Sequence, residues 1–174
     1  MTETYYLEMP SPIGKLTLVS DGKHLTAVHM DTGPLKLPKD AKRGHALLEK
    51  ARGQLNEYFK GKRTDFDLPL GAQGTEFQRQ VWARLRDIPF AKTASYGEVA
   101  KQIGNAKASR AVGLANGANP IGIIVPCHRV IGANGTLTGY GGGLARKQWL
   151  LDHEKRIGAH RVSDGIGANQ RRDS

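Results

Sequence analysis

The sequence predicts an α/β protein with two domains, a small sheet covered by one helix and a helical domain that contains a helix-turn-helix. Three observations lead to this fold class. Short β-prone runs at residues 5–9, 16–20 and 24–30 are separated by turn-forming residues, which is typical of an antiparallel meander. Apolar residues then recur at helical spacing between residues 42 and 59. Beyond residue 75 the helices are short and begin at recognisable capping residues.

The N-terminal domain is predicted to span residues 1–74. Asp21-Gly22, between the second and third strands, is a strong tight-turn dipeptide. The helix predicted at 42–59 has one apolar stripe, which can cover a face of the sheet. The stripe consists of Leu47, Leu48, Ala51, Leu55, Tyr58 and Phe59. Residues 61–74, which contain Pro69, Gly71 and Gly74, are predicted to form a connector.

The C-terminal domain is predicted to span residues 75–158 and to open with two capped helices. Thr75 can cap the first free amides of one helix while the Gln78 side chain reaches back to the capping residue. Ser95 and Glu98 repeat this capping box at the start of the next helix. Pro89 separates the two, because proline cannot continue a helix.

A third short helix is predicted at residues 107–117, just after a glycine-containing turn. Two short helices joined in this way match a helix-turn-helix, a spacing shared with helical hairpins that bind no nucleic acid. Small residues dominate the helix and allow a backbone to come very close, and Arg110 is the long cation among them. The small residues are Ala108, Ser109, Ala111, Gly113, Ala115 and Gly117.

Charge is concentrated in the predicted C-terminal domain. The chain has 174 residues with 26 Lys+Arg and 16 Asp+Glu, a net charge of +10. Residues 75–158 hold 12 basic and 5 acidic side chains (+7), whereas residues 1–74 hold 11 and 9 (+2). Such an excess favours a polyanionic partner, nucleic acid before membrane, with a solubilising surface as the alternative. Residues 159–174 have few apolar side chains and are predicted to form a flexible tail.

The cysteine count excludes two kinds of stabilisation. A single cysteine cannot form an intrachain disulfide or a zinc site with two or more thiolates. The six histidines show no paired metal-ligand spacing. The N-terminus lacks the pattern of a secretory signal, and no window approaches the roughly 18 apolar residues of a membrane span. We therefore expect a cytoplasmic protein with no metal and no membrane association.

The lone cysteine, Cys127, lies in the segment Pro126-Cys127-His128-Arg129. A cysteine is a good nucleophile only as a thiolate, so a reactive one needs a base or a positive environment. His128 follows it directly, and the two side chains can meet only at a bend, which Pro126 favours, or through a bridging water. The alternative is a buried structural cysteine beside an incidental histidine.

The glycine-rich run at residues 135–143 is predicted to be a loop or wall near this thiol. It has neither the Gly-Lys-Ser/Thr ending of a phosphate loop nor a dinucleotide-binding pattern. Farther along, His153-Glu154 is an ordinary polar pair unless the fold returns it to Cys127, which sequence spacing does not decide.

Four motifs in order give the chain a specific resemblance. They are Asn119-Pro120, Pro126-Cys127-His128-Arg129, the run at 140–144 (Tyr-Gly-Gly-Gly-Leu), and Trp149-Leu150-Leu151 with His153-Glu154. With them the sequence closely resembles the O6-alkylguanine DNA alkyltransferases, also called methylated-DNA:protein-cysteine methyltransferases. The match is dense over residues 75–156 and looser over the N-terminal block. It implies a ribonuclease-H-like N-terminal domain and a winged helix-turn-helix-like C-terminal domain.

The resemblance implies irreversible transfer of an alkyl group from O6-alkylguanine in DNA, and from O4-alkylthymine, to Cys127, once per molecule. His128 would act on the thiol through a water, and Glu154 would orient His128. Tyr96 would lie beside the extruded base and protonate the leaving guanine, which suits general acid catalysis. Arg110 would enter the base stack in place of the extruded nucleotide, which an enzyme acting on a stacked base requires.

The resemblance also assigns residues around these. Asn119 would be the hinge between the recognition helix and the active-site segment, and the base pocket would include Tyr96, Val130, Tyr140 and Gly141. The surface facing DNA would comprise Arg110, Ala108, Ser109, Ala111, Gly113 and Tyr96. Gly141 stands where some members have a hydroxyl residue, which removes a side-chain contact to the substrate.

The expected partner is double-stranded DNA containing O6-alkylguanine, bound by a monomer without an obligate protein partner; cooperative assembly on DNA is left open. Some relatives hold zinc through N-terminal cysteines, which this chain lacks, so no metal or other cofactor is expected. One rival is a non-catalytic module that binds alkylated DNA, as in relatives without the cysteine, against which Cys127 argues. The other is a cysteine hydrolase, for which no oxyanion motif is readable.

Overall fold

The computed structural model describes residues 3–163, and it has the α/β class that the sequence predicts. Strands β1 (Tyr5–Met9), β2 (Leu16–Ser20) and β3 (Leu25–Met30) form the expected antiparallel meander. A further strand, β4 (Lys42–Arg43), pairs parallel to β1, so that the sheet order is β3-β2-β1-β4.

Helix α1 covers this sheet, and it begins later than predicted. It runs from Ala46 to Phe59, not from residue 42. The reason is that residues 42–44 pair with the edge of β1. The Lys42 N–H donates to Thr4 O, and the Gly44 N–H donates to Tyr6 O. Satisfying these edge groups competes with helix formation over the same residues. His45 then caps α1 by accepting a hydrogen bond from the Leu47 N–H.

The helices of the second block follow the predicted capping boxes. Both boxes are present, at Thr75 for α2 (Glu76–Leu85) and at Ser95 for α3 (Tyr96–Gln102). Helix α4 (Ser109–Gly117) starts two residues later than predicted, because Ala108 has a non-helical conformation and closes a turn onto Asn105 O. Trp82 ties α2 to α4 by donating to Ala115 O at 2.8 Å.

The site segment and the last helix complete the chain. A 3₁₀ turn (Cys127–Arg129) leads into β6 (Val130–Ile131), which pairs parallel to β5 (Ala94–Ser95). Helix α5 runs from Leu144 to Ser163, so the first five residues of the predicted tail are helical, contrary to the expectation of a flexible tail from residue 159. The rest of that tail lies outside the described residues.

One continuous apolar core runs from the sheet to the helices. The edge of β3 joins the two blocks, since the Val28 N–H donates to Pro120 O at 2.9 Å and Val28 bridges to Ile121. This connection brings the segment before Cys127 against the sheet. Among the described residues, none of the helices is both long and apolar enough to cross a membrane.

Candidate active site

Cys127 opens a single turn of 3₁₀ helix and is buried, with 6% of its surface exposed. The backbone therefore bends after Pro126, as the sequence predicts. Two asparagines hold the bend: the Asn116 side chain donates to Cys127 O at 3.3 Å and the Asn119 side chain donates to Val125 O at 2.8 Å. Asn119 thus ties the end of α4 to the cysteine segment, a position that suits the hinge role expected for it.

Two strained residues lie beside this segment. Ile123 (φ +73°) and Ala91 (φ +68°) are the non-glycine residues with positive φ in the part of the chain that the structure describes. Such a conformation costs about 1–3 kcal/mol and persists where the surroundings impose it. Ile123 lies in the turn that leads to Pro126, and the Ala91 N–H donates to Glu154 Oε1 at 3.2 Å. The two positive-φ residues therefore lie in the turn before Cys127 and against Glu154.

The resting thiol of Cys127 is protonated. Burial raises its pKa above the ordinary 9.0, and the opposing effects of the Asn119 side chain and the Lys147 charge do not cancel that rise. A neutral thiol is a weak nucleophile, so the site needs a base to take the proton.

His128 is placed to be that base. Its Nε2 lies 2.7 Å from Glu154 Oε2, and both side chains are almost completely buried. An ionised carboxylate only accepts, so Nε2 carries the hydrogen and Nδ1 has a free lone pair. Nδ1 is buried and has no hydrogen-bond partner among the described residues. The imidazole can therefore accept a proton at Nδ1 while Glu154 fixes its tautomer.

Arg129 balances the charge of Glu154, a role that the sequence analysis missed. Its Nε donates to Oε1 at 2.9 Å and its Nη2 donates to Oε2 at 3.0 Å, with the guanidinium also bonded to Ile88 O. Burial lowers the pKa of His128 below 6.5 and outweighs the attraction of Glu154, and the charges of Arg129 and Lys147 lower it further. The imidazole is consequently neutral at neutral pH.

Lys147 is a second buried cation that the sequence analysis missed. It is fully buried, and its Nζ donates to Val130 O at 2.6 Å and to Thr138 O at 2.9 Å. The lysine thereby ties the strand after Cys127 to the glycine-rich loop. The signal in the sequence was a lysine three residues before Leu150, on the face of α5 that also carries His153 and Glu154.

A cavity of about 280 Å³ opens beside Cys127. Its wall includes Asn119, Tyr140 and Gly141, together with residues of β3 and the segment that follows it. The Tyr140 hydroxyl is buried and has no partner among the described residues. The structure thus brings the thiol together with two of the predicted pocket residues.

The other two predicted pocket residues, Tyr96 and Val130, do not line this cavity. The Tyr96 hydroxyl is 2.6 Å from Thr138 Oγ1, in the glycine-rich loop. Val130 is fully buried, its N–H donates to Cys127 O, and its carbonyl accepts from Lys147. A nucleobase can therefore accept no hydrogen bond from the Val130 N–H, and it can donate one only to the second lone pair of the Val130 carbonyl oxygen.

Helix α4 presents an outer face of the predicted composition. Arg110 and Ala111 are exposed, Ala108, Ser109 and Gly113 are half-buried, and the opposite face packs into the core. A Cβ on Gly113 would lie 3.7 Å from the Tyr96 ring, so Tyr96 borders this helix. Leu114, one turn beyond Arg110, has 74% of its surface exposed, which the sequence analysis did not foresee.

No cluster of three or more His, Cys, Asp or Glu side chains within residues 3–163 is arranged to hold a metal ion.

Comparison with known proteins finds relatives over nearly the whole described chain. Residues 76–156 match the family described as 6-O-methylguanine DNA methyltransferase, DNA binding domain, and residues 1–72 match its ribonuclease-like domain. The methylated-DNA–protein-cysteine methyltransferase of Mycobacterium tuberculosis is 52% identical over 156 residues, which cover 87% of this chain and 92% of the relative. That of Methanosarcina acetivorans is 51% identical over 152 residues, covering 86% and 97%.

A similar solved structure is that of the M. tuberculosis protein in complex with DNA. It superimposes with a TM-score of 0.83 at 51% identity and covers 88% of this chain and 94% of that chain.

Proposed function

The chain belongs to the 6-O-methylguanine DNA methyltransferase family, and on that premise we propose that Cys127 is the alkyl acceptor and that His128, Glu154 and Tyr96 move the protons. The protein is a DNA-repair methyltransferase whose acceptor is a protein cysteine. Cys127 is the one cysteine in the sequence. Its position at the cavity, next to a buried histidine–glutamate pair, is the observation that carries the proposal.

The reaction begins with deprotonation of the thiol. His128 Nδ1 takes the proton through a bridging water, and Glu154 holds the opposite nitrogen of the ring. Arg129 keeps Glu154 ionised by its two hydrogen bonds. The thiolate forms at a buried position, where the Lys147 charge favours it.

The thiolate sulfur then attacks the alkyl carbon on O6 of guanine. An S–C bond forms, the C–O bond breaks, and the electron pair passes into the purine. Guanine is a poor leaving group as an anion, so Tyr96 gives it a proton, and the Thr138 hydroxyl holds the phenol. Once His128 has released its proton to water and Tyr96 has regained one, the net change is that the alkyl group replaces the thiol hydrogen and guanine gains one proton. The stable thioether explains single turnover.

Duplex DNA containing O6-alkylguanine is the proposed partner, with O4-alkylthymine as a second substrate. Helix α4 would lie in a groove, where its small outer residues permit close approach and Arg110 occupies the space of the extruded nucleotide. Exposed Leu114 adds an apolar contact one turn farther along. Asn119, Tyr140 and Gly141 complete the pocket for the base.

Substitution Cys127→Ser tests the assignment against the rival of a non-catalytic binding module. We expect the variant to lose transfer from an O6-methylguanine duplex completely while its duplex affinity stays nearly unchanged, because the thiol supplies nucleophilicity and little contact area. Transfer is followed by loss of methyl from the DNA and affinity by fluorescence anisotropy. Retained transfer by the serine variant would remove Cys127 from its role.

A further inference from the structure

Besides the β3 wall of the cavity, the N-terminal domain contributes one side chain that contacts Glu154, Tyr58 of α1. Tyr58 is fully buried, and its hydroxyl donates to Glu154 Oε2 at 2.6 Å across 96 residues of sequence. The same oxygen accepts from His128 Nε2 at 2.7 Å. Arg129 Nη2 donates to it as well, so three donors, one of them from the N-terminal domain, share one carboxylate oxygen.

Contacts other than this hydroxyl hold α1 against α5. The Tyr58 ring packs against the His153 ring of α5 with a centroid distance of 5.2 Å, and against Phe66 and Phe90 at 5.7 Å and 6.1 Å. A second hydrogen bond joins the helices independently, because His153 Nε2 lies 2.9 Å from the Tyr58 carbonyl oxygen. The hydroxyl is thus separable from the packing, and its partner is the carboxylate that orients His128.

The phenol stays a donor throughout the working pH range. Burial, and then the charge of Glu154, raise the pKa of Tyr58 well above 10.0. A donor on Oε2 draws negative charge toward itself and leaves less for His128, so the carboxylate stabilises a protonated imidazole less strongly. Besides Glu154, the charged groups that act on His128 are Arg129 and Lys147. The charge of Glu154 in turn acts to raise the pKa of Tyr140 and that of His153.

We propose that Tyr58 is a positioning residue for alkyl transfer, through which the N-terminal domain fixes the orientation of Glu154 and shares its charge with His128. This inference rests on the proposed function of Cys127 and His128. The N-terminal domain then takes part in the reaction and does not only stabilise the fold.

The test compares Tyr58→Phe, which removes only the hydroxyl, with the control His153→Phe, which removes the other α1–α5 hydrogen bond and keeps a ring. Single-turnover rates on an O6-methylguanine duplex are measured across pH, with thermal unfolding of each variant. For Tyr58→Phe we expect a rate about threefold to tenfold lower at neutral pH. We also expect the acid midpoint of the profile to rise by about half a pH unit or more, because His128 then holds its proton more tightly.

The control and the wild type separate the possible failures. His153→Phe should lower the melting temperature and leave the acid midpoint in place. Tyr58→Phe would give the same result if the role of Tyr58 were merely structural. An unmoved midpoint in Tyr58→Phe, with the wild-type protein still methylated on Cys127, overturns the inference about Tyr58 alone. A wild-type protein that is not methylated on Cys127 overturns the proposed function instead.

A second variant keeps the inference testable if Tyr58→Phe does not fold. A fluorinated tyrosine at position 58 is a stronger donor of nearly the same shape, so it should move the acid midpoint to lower pH. A midpoint equal to that of the wild type would overturn the proposal.

Discussion

Glu154 is the residue on which the site depends. Burial alone would raise its pKa, but the contacts with His128 and Arg129 outweigh burial and hold the pKa well below 4.5. Its two oxygens accept from five donors, which are Tyr58 Oη, His128 Nε2, Arg129 Nε, Arg129 Nη2 and the Ala91 N–H. A buried carboxylate with this many donors stays charged and keeps one orientation.

The pH dependence of transfer follows from His128. Burial lowers its pKa below 6.5, so the imidazole is already neutral, and able to act as a base, at neutral pH. The single-turnover rate should be insensitive to acidification near pH 7 and should fall only below about pH 6.5, as His128 protonates. Duplex binding measured at each pH separates this loss from loss of DNA affinity. An acid midpoint above 6.5 would contradict the charge balance between Arg129 and Glu154.

At the level of residues, the sequence was informative where the chemistry is local. Cys127, His128 and Glu154 were predicted from motifs, and the structure brings His128 and Glu154 into contact. Arg129 and Lys147 could not be assigned, because what a buried cation contacts depends on segments distant in the chain. Tyr58 was predicted only as part of an apolar stripe, since its hydroxyl partner lies 96 residues away.

At the level of elements, α4 combines a packed inner face with an outer face of small residues. The inner face buries Val112, Ala115 and Asn116. The outer face carries Arg110 and, one turn on, Leu114. Residues four apart on a helix lie on the same side, so the cation and the apolar side chain would meet DNA together.

Arg110→Ala should separate base extrusion from chemistry. Extrusion costs a few kcal/mol, so loss of the side chain that fills the vacated stack should slow repair in duplex DNA by about tenfold or more. The defect on free alkylated guanine should be under about threefold, because no extrusion is needed there. Lys107→Ala is the matched control, since it removes an exposed cation just before the same helix. Equal losses for Arg110→Ala on both substrates would point to folding or chemistry.

The helices were predictable because their starts are encoded locally. Both capping boxes form as expected, and Gly104, the glycine of the turn predicted before the third helix, has a left-handed conformation (φ +82°) at the end of α3. Strand β4 was missed because two charged residues show no β pattern, and their pairing depends on the distant edge of β1. The continuation of α5 to Ser163 was missed because its last turns have little apolar periodicity.

At the level of the whole molecule, the two blocks share one core and several cross-links. β3 pairs with the segment before Cys127, Arg146 donates to Ile13 O at 2.8 Å, and Tyr58 contacts Glu154. The sequence predicted the two domains but not how they meet, because interface contacts leave no periodic signal. The structure makes the first domain one wall of the cavity beside Cys127.

The charge distribution predicts how DNA affinity responds to salt. Residues 75–158 carry +7 and residues 1–74 carry +2, so phosphate contacts should come mainly from the C-terminal block. Each neutralised phosphate contributes about −0.9 to the slope of log affinity against log salt, and a domain with one helix in a groove neutralises few phosphates. We expect a slope of roughly −2 to −5 and weak sequence preference, because alanines offer no hydrogen bonds to base edges.

Anisotropy titrations at several salt concentrations, on two unrelated duplexes, measure both quantities. A flat salt response would contradict phosphate binding by the C-terminal block. A preference of about 1000-fold between the duplexes, as specific regulators show, would contradict lesion repair.

The most direct measurement is the intact mass of the protein before and after exposure to an excess of O6-methylguanine duplex, followed by peptide mapping. Replacement of the thiol hydrogen by methyl adds one CH₂ group. The account predicts that every active molecule gains the mass of one CH₂, that the gain maps to Cys127, and that transfer then stops. Demethylated DNA with an unmodified Cys127 peptide, or repeated turnover by one molecule, would contradict it.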